Sequence, residues 1–227
     1  MHDPMADTER ARRFQDRYEA GRLLAQELRD YAGRDDVLVV ALPRGGVPVG
    51  YEVARVLRAP LDAMQVRKLG VPGHEELAMG AIASGGVRIV SENVVEALRI
   101  PERVIATVAA AETQELERRE RIYREGRLFP DVRGRTVILV DDGLATGSTM
   151  RAAAAALRSL GAARLVAAVP VAPKESCDAL REVVDDVVCA RMPERFLAVG
   201  EWYEDFSQTS DEEVSELLRR GQREAQP

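Results

Sequence analysis

The segment Val137-Ile138-Leu139-Val140-Asp141-Asp142-Gly143-Leu144-Ala145-Thr146-Gly147-Ser148-Thr149 carries the densest chemistry in the chain. A β-branched apolar run ends in two adjacent carboxylates. A short loop of Gly and hydroxyl residues then leads straight into an Ala-rich stretch. That order puts two acids at the carboxyl end of a buried strand, where open α/β sheets bind ligands. It also puts free backbone N–H groups and a helix N-terminus beside them, an arrangement suited to phosphate. One end of the ligand should therefore be a phosphate, and the other should offer hydroxyls or a metal for the acids. A phosphorylated sugar meets both demands.

Two other phosphate motifs are excluded. In the nucleotide P-loop, G-x-x-x-x-G-K-[ST], a Lys follows the second Gly. Here Gly143 and Gly147 are one residue too close, and Ser148 occupies the Lys position. The dinucleotide fingerprint G-x-G-x-x-G is not met by Gly45-Gly46-Val47-Pro48-Val49-Gly50. An ordinary strand–turn–helix with an acidic corner would explain an isolated Asp-Asp-Gly, but not the whole string in register.

Strands alternating with helices must position this segment. Val37–Leu42 reads as a buried strand meeting a tight turn at Pro43-Arg44-Gly45-Gly46, with a helix over 47–58. Leu61–Arg67 reads as the second strand, and 69–77 has loop chemistry. Met79–Ala83 and Val87–Val90 form a hairpin around Ser84-Gly85-Gly86. A long helix runs from about Pro101 to Glu125. Its i,i+4 pairs Glu115/Arg119, Glu117/Arg121 and Glu120/Arg124 are worth about 0.2–0.5 kcal/mol each and mark a solvated face or a partner surface. The strand at 135–140 and the helix at 148–160 form the central unit, followed by a strand at Leu165–Val169, a helix over about 174–184 and a strand at Asp186–Cys189. The pattern predicts an α/β fold, a doubly wound, mostly parallel sheet flanked by helices. A single domain spans 1–227: residues 1–7 read as a disordered start, 8–30 as a helix with the stripe Phe14, Tyr18, Gly21, Ala25 and Leu28, and 211–221 as a terminal helix behind the capping box Ser210–Glu213.

At the acidic segment the chain resembles the type I phosphoribosyltransferases, whose signature is a hydrophobic strand, two acids, a short loop and Thr-Gly. The resemblance covers about residues 36 to 203. It implies the substrate phosphoribosyl pyrophosphate, with Asp141 and Asp142 on the ribose 2′- and 3′-hydroxyls. The loop Gly143, Leu144, Ala145, Thr146, Gly147, Ser148 and Thr149 would cradle the 5′-phosphate. Arg44, Gly45 and Gly46 match the family's pyrophosphate loop. Arg67 and Lys68 end the second strand where the family touches pyrophosphate, and 69–77 would be a closing lid with His74 a candidate donor or acid. The candidate catalytic set is thus Asp141, Asp142, Arg44 and Lys68. Mg²⁺ is the implied cofactor, with Asp141 and Asp142 meeting it indirectly or through the substrate.

For the acceptor, a nitrogenous base, residues 193–203, within a hood segment of about 190–210, resemble the hood of the 6-oxopurine members. Phe196 would stack on the base and Trp202 or Tyr203 would line the pocket; core packing of the same aromatics is the equal alternative. The phosphate loop departs from those members, because Ala145 stands where they carry an acid. Lys174 lies loosely where they use a Lys, at the wrong offset. The 101–125 helix fits none of the well-known base-specific classes, so the chain looks most like the family's uncharacterised members.

Composition narrows the partners. The chain has 227 residues, a net charge of −6 and only two lysines, Lys68 and Lys174. An acidic balance argues against generic nucleic-acid binding. No apolar run approaches the ~18 residues of a membrane span, and the N-terminus lacks a signal peptide's basic and apolar regions, so a cytoplasmic protein is expected. Cys177 and Cys189 read as small buried side chains. A homodimer is implied by the resemblance alone. Two other activities stay open: a non-catalytic sensor of phosphoribosyl pyrophosphate, and hydrolysis or phosphorolysis of a related phosphosugar.

Overall fold

A computed structural model of the chain describes residues 13–224. Five parallel strands form the central sheet in the order β2-β1-β6-β7-β8: β1 (Val37–Ala41), β2 (Leu61–Ala63), β6 (Thr136–Val140), β7 (Arg164–Val171) and β8 (Asp186–Arg191). Every residue of β1 and β6 is buried, as a sheet covered on both faces requires. Alternation sorts the side chains. Val37, Val39, Ala41, Ile138 and Val140 face one core with α1 (Arg17–Glu27), α2 (Gly46–Leu57) and α7 (Asp211–Glu224). Leu38, Val40, Val137 and Leu139 face the other, with α5 (Ser148–Ser159) and α6 (Lys174–Leu180). The chain leaves β1 toward β2 on one side and later returns to β6 on the other. The reversal of direction therefore falls between β1 and β6.

A second, antiparallel sheet, β3-β4-β5, is made by Val66–Val71, His74–Ala83 and Val87–Val90. The short helix α3 (Glu92–Ala97) follows it, and the long helix α4 (Glu102–Arg124) covers it through Leu69, Met79, Ile82, Ile105, Ala109 and Leu116.

Three expectations change. The strand expected at Leu61–Arg67 is two strands in different sheets, β2 ending at Ala63 and β3 starting at Val66. The segment 69–77 is not a loop but the outer half of the β3–β4 hairpin, turning at Pro72-Gly73, with register shifts on either side of Gly70. Gly70 suits the close approach there, since a Cβ would lie 3.0 Å from the Glu75 carbonyl oxygen. The helix expected over 8–30 is non-helical at 13–16, and α1 starts at Arg17, where Asp16 caps it by accepting a hydrogen bond from the Glu19 N–H (2.7 Å). Residues 1–7, expected to be disordered, and 8–12 lie outside the described residues. The terminal helix runs on to Glu224, past the expected 221.

Candidate functional site

The site forms where β1 and β6 end. β1 runs into the turn Pro43-Arg44-Gly45-Gly46, whose Pro43–Arg44 peptide is cis, and α2 begins at Gly46. β6 runs into Asp141-Asp142. The two turns touch, and glycine is what lets them. A Cβ on Gly45 would lie 1.9 Å from Asp142 Oδ2, and one on Gly46 would lie 2.9 Å from Asp141 Cα. The turn expected to hold pyrophosphate thus lies directly against the acid pair, at the switch point of the sheet.

The loop 143–149, expected to cradle a phosphate, follows. Leu144 is buried and its N–H donates to the Val171 carbonyl of β7 (2.9 Å), which pins the loop to the sheet. Gly147 adopts φ +71°, a left-handed conformation, and α5 opens immediately after it. The Arg151 N–H bonds back to the Gly147 carbonyl (2.9 Å). The N–H groups of Ser148, Thr149 and Met150 precede that bond and face the loop mouth unclaimed by the helix ladder. Ala145, Thr146, Ser148 and Thr149 are exposed, so hydroxyls and amides together present a surface for an anion.

Burial pushes the Asp141 carboxyl well above the usual carboxylate range, with the Asp142 charge adding to the shift and the Asp142 N–H (2.9 Å) opposing it. Burial also raises Asp142, against the pull of Arg17. Arg17 was not among the expected site residues. Its Nε donates to Asp142 Oδ2 at 2.8 Å, and its side chain is only 10% exposed. Tyr203 closes the same corner by donating its hydroxyl to the Asp142 carbonyl (2.5 Å). A single arginine in the first turn of a helix carries no local signal of this role.

The remaining candidates are distributed around this corner. Lys68 and Arg67 lie on opposite faces of β3, as strand alternation requires. Lys68 lines a cleft of about 510 Å³ with Ser148 and Thr149. Its Nζ donates to the Glu76 carbonyl (3.2 Å). Arg67 faces α4, where Glu112 holds it at 2.6 Å. The Arg44 guanidinium lies 3.9 Å from Asp211, the first residue of α7. His74 is exposed near the hairpin turn, and Glu75 accepts from the Gly73 N–H (3.1 Å). In the hood, Val199 presses on Gly143, where a Cβ would lie 2.5 Å from Val199 Cγ1. Phe196 and Trp202 are half-buried against Phe14, Ala20, Val171 and Tyr203. Phe196 also lines a cleft of about 610 Å³ with Pro173, Lys174 and Met192. Trp202 lines a separate one of about 260 Å³ beside Cys189–Pro193. Among the described residues no group of three or more His, Cys, Asp or Glu could hold a metal ion. No described helix is long and apolar enough to cross a membrane.

The family model for the phosphoribosyl transferase domain matches residues 13–201, which hold the 43–46 turn, Asp141–Asp142 and the 143–149 loop. The chain belongs to this family. A Mycobacterium tuberculosis protein named "Putative phosphoribosyl transferase" is 45% identical over 211 residues, 93% of this chain and 47% of its own length. The chain therefore spans about half the length of the curated relatives it matches. The crystal structure of TT1426 from Thermus thermophilus superposes with a TM-score of 0.82 at 40% identity, covering 92% of this chain and 98% of that one. The AQ2163 protein of Aquifex aeolicus, at 13% identity and a TM-score of 0.52, covers 96% and 95% and shares the fold.

Proposed function

We propose that the protein transfers ribose 5-phosphate from phosphoribosyl pyrophosphate to a nitrogenous base and releases pyrophosphate. The observation that carries this reading is the contact of the Gly45–Gly46 turn with Asp141 and Asp142, next to the open start of α5. Asp141 and Asp142 accept the ribose hydroxyls. The amides of 146–150 and the hydroxyls of Thr146, Ser148 and Thr149 hold the 5′-phosphate. The Arg44 and Gly45 amides and Lys68, with the Arg44 side chain swung from Asp211, hold the pyrophosphate.

The residues present fit Mg²⁺ taken up with the substrate. Two carboxylates, one of them engaged by Arg17, make too few donors for a protein cage but suit an ion that keeps phosphate and water ligands. Its contribution when bound is to neutralise charge on the leaving pyrophosphate. The protein's own part is to orient the anomeric carbon toward the base nitrogen and to shield it from water. As that nitrogen bonds to the carbon, the bond to pyrophosphate oxygen breaks. Ala145 offers no side chain to receive the base's proton, which passes to solvent. Phe196, at the edge of the 610 Å³ cleft, is the surface on which a purine-like base stacks. The same reading takes the protein as a cytoplasmic homodimer that works without nucleic acid.

The test is pyrophosphate release from phosphoribosyl pyrophosphate with Mg²⁺, with and without each of a panel of purine and pyrimidine bases. Release that needs one base is the expected result and names the acceptor. Release without any base contradicts transfer and indicates hydrolysis. Binding without release contradicts transfer to any base of the panel and points to a sensor or to an acceptor outside the panel.

A further inference from the structure

Arg17 is a buried cation at the mouth of the site for which the proposed reaction has no use. Its surroundings are specific. Nε donates to Asp142 Oδ2 (2.8 Å), and Nη1 donates to the Ser207 carbonyl of the hood (2.6 Å). The guanidinium lies 4.0 Å above the Phe206 ring and 5.9 Å from that of Tyr203. A Cβ on Gly45 would come within 3.1 Å of Arg17 Nε, so the pyrophosphate turn is packed against it as well. Three residues earlier, Phe14 is bridged to Tyr203: the Phe14 N–H donates to the Trp202 carbonyl (2.8 Å), and the Glu204 N–H donates to the Phe14 carbonyl (2.7 Å). The start of α1 is thereby fastened to the hood by its backbone and to the acid pair by one side chain.

We propose that Arg17 is a positioning residue that fixes Asp142 for the ribose hydroxyls and ties the hood segment 203–207 to that carboxylate. The inference rests on the acid pair being the sugar site. Arg17 takes only Oδ2, so Asp142 is oriented without being enclosed. Only a planar fork can bond a carboxylate through Nε and a carbonyl through Nη1 while its face stacks on an aromatic ring; a Lys ammonium keeps the charge but loses two of those three contacts. Sugar binding and hood order are then coupled, because both depend on the same guanidinium.

The experiment compares wild type, Arg17→Met and Arg17→Lys, each first shown to be folded by its thermal transition. Calorimetry measures binding of phosphoribosyl pyrophosphate and, separately, of inorganic pyrophosphate, which lacks the ribose. Amide hydrogen exchange follows 203–207 without ligand. The expected result for Arg17→Met is at least a tenfold loss for phosphoribosyl pyrophosphate, unchanged pyrophosphate binding and faster exchange over 203–207, with Arg17→Lys intermediate. Equal losses for both ligands would show a general structural role and overturn the inference, as would unchanged affinity for phosphoribosyl pyrophosphate. A wild-type protein that binds no phosphoribosyl pyrophosphate defeats the reading of the acid pair and this inference with it. That failure is visible before any substitution is made.

Discussion

Two buried arginine–aspartate pairs flank the parallel sheet, and they are built to opposite ends. Arg124, at the end of α4, donates through Nε to Asp62 Oδ1 (2.8 Å), through Nη1 to Glu120 (2.6 Å) and through Nη2 to the Ala63 carbonyl. Asp62 also accepts from the Ala63 N–H (2.7 Å), and the two side chains are 3% and 9% exposed. All three nitrogens of the Arg124 guanidinium are engaged, and together they join the long helix to the edge of the sheet. Arg17 and Asp142 are joined at one carboxylate oxygen and are 10% and 15% exposed, and the neighbouring Asp141 accepts from the Asp142 backbone N–H. The Arg124 fork ties a helix to a strand, whereas the Arg17 fork holds an acid beside the open start of α5.

Removing the Arg124 fork should have the largest effect on stability. Arg124→Met leaves Asp62 charged, buried and unpaired, and should cost about 3–5 kcal/mol in denaturant unfolding. Affinity for phosphoribosyl pyrophosphate should be retained wherever the variant is folded. Gly45→Ala should do the reverse. Its methyl would overlap Asp142 Oδ2 at 1.9 Å. The fold should lose about 1–3 kcal/mol, while binding of phosphoribosyl pyrophosphate falls below detection by calorimetry. If Gly45→Ala binds normally, the contact between the two turns is not the site.

The pH dependence separates acids of opposite character. Burial raises the Asp141–Asp142 carboxyls, so the folded state holds a proton more tightly than the unfolded chain does. Their contribution to stability is therefore full below the unfolded value and is lost as pH rises through the folded one. Asp141→Asn should flatten that decline, and thermal unfolding at pH 5 to 8 should show the variant gaining on wild type as pH rises. The smallest effect is expected at exposed Asp36. Hydrogen bonds from Arg34 and Thr136 hold its carboxyl down at about 2. Its contribution is present above the unfolded value and is lost as pH falls from the ordinary carboxylate range toward 2. Asp36→Asn should remove that small acid-side slope and leave the neutral-pH transition nearly unmoved.

What the sequence made legible follows from the range of the interactions involved. The strand, acids, loop and helix of 136–159 are contiguous, so their order alone located the central unit. The family resemblance put the Gly45–Gly46 turn and Asp141–Asp142 on one ligand, but not in contact, because that contact spans nearly a hundred residues. Arg17 reaches Asp142 across 125 residues and sits in a helix whose apolar stripe says only that it docks. Arg124 read as part of a solvated charge run, since its i,i+4 partner Glu120 is local and its burial against Asp62 is not. The segment 69–77 read as a loop because Gly70, Pro72 and Gly73 are turn residues. In the fold Pro72 and Gly73 do turn the hairpin, while Gly70 makes room for a backbone passing at 3.0 Å.

The most direct test of the acid pair as a sugar-phosphate site is calorimetric titration of phosphoribosyl pyrophosphate into wild type and Asp141→Asn/Asp142→Asn, with thermal unfolding on the same samples. Two isosteric amides keep the shape but lose the charge and half the accepting atoms. The predicted result is a loss of affinity of at least about a hundredfold, roughly 2.7 kcal/mol, in a protein whose thermal transition shows it still folded. Wild-type affinity in the folded double variant would contradict the account and move the site away from the end of β6.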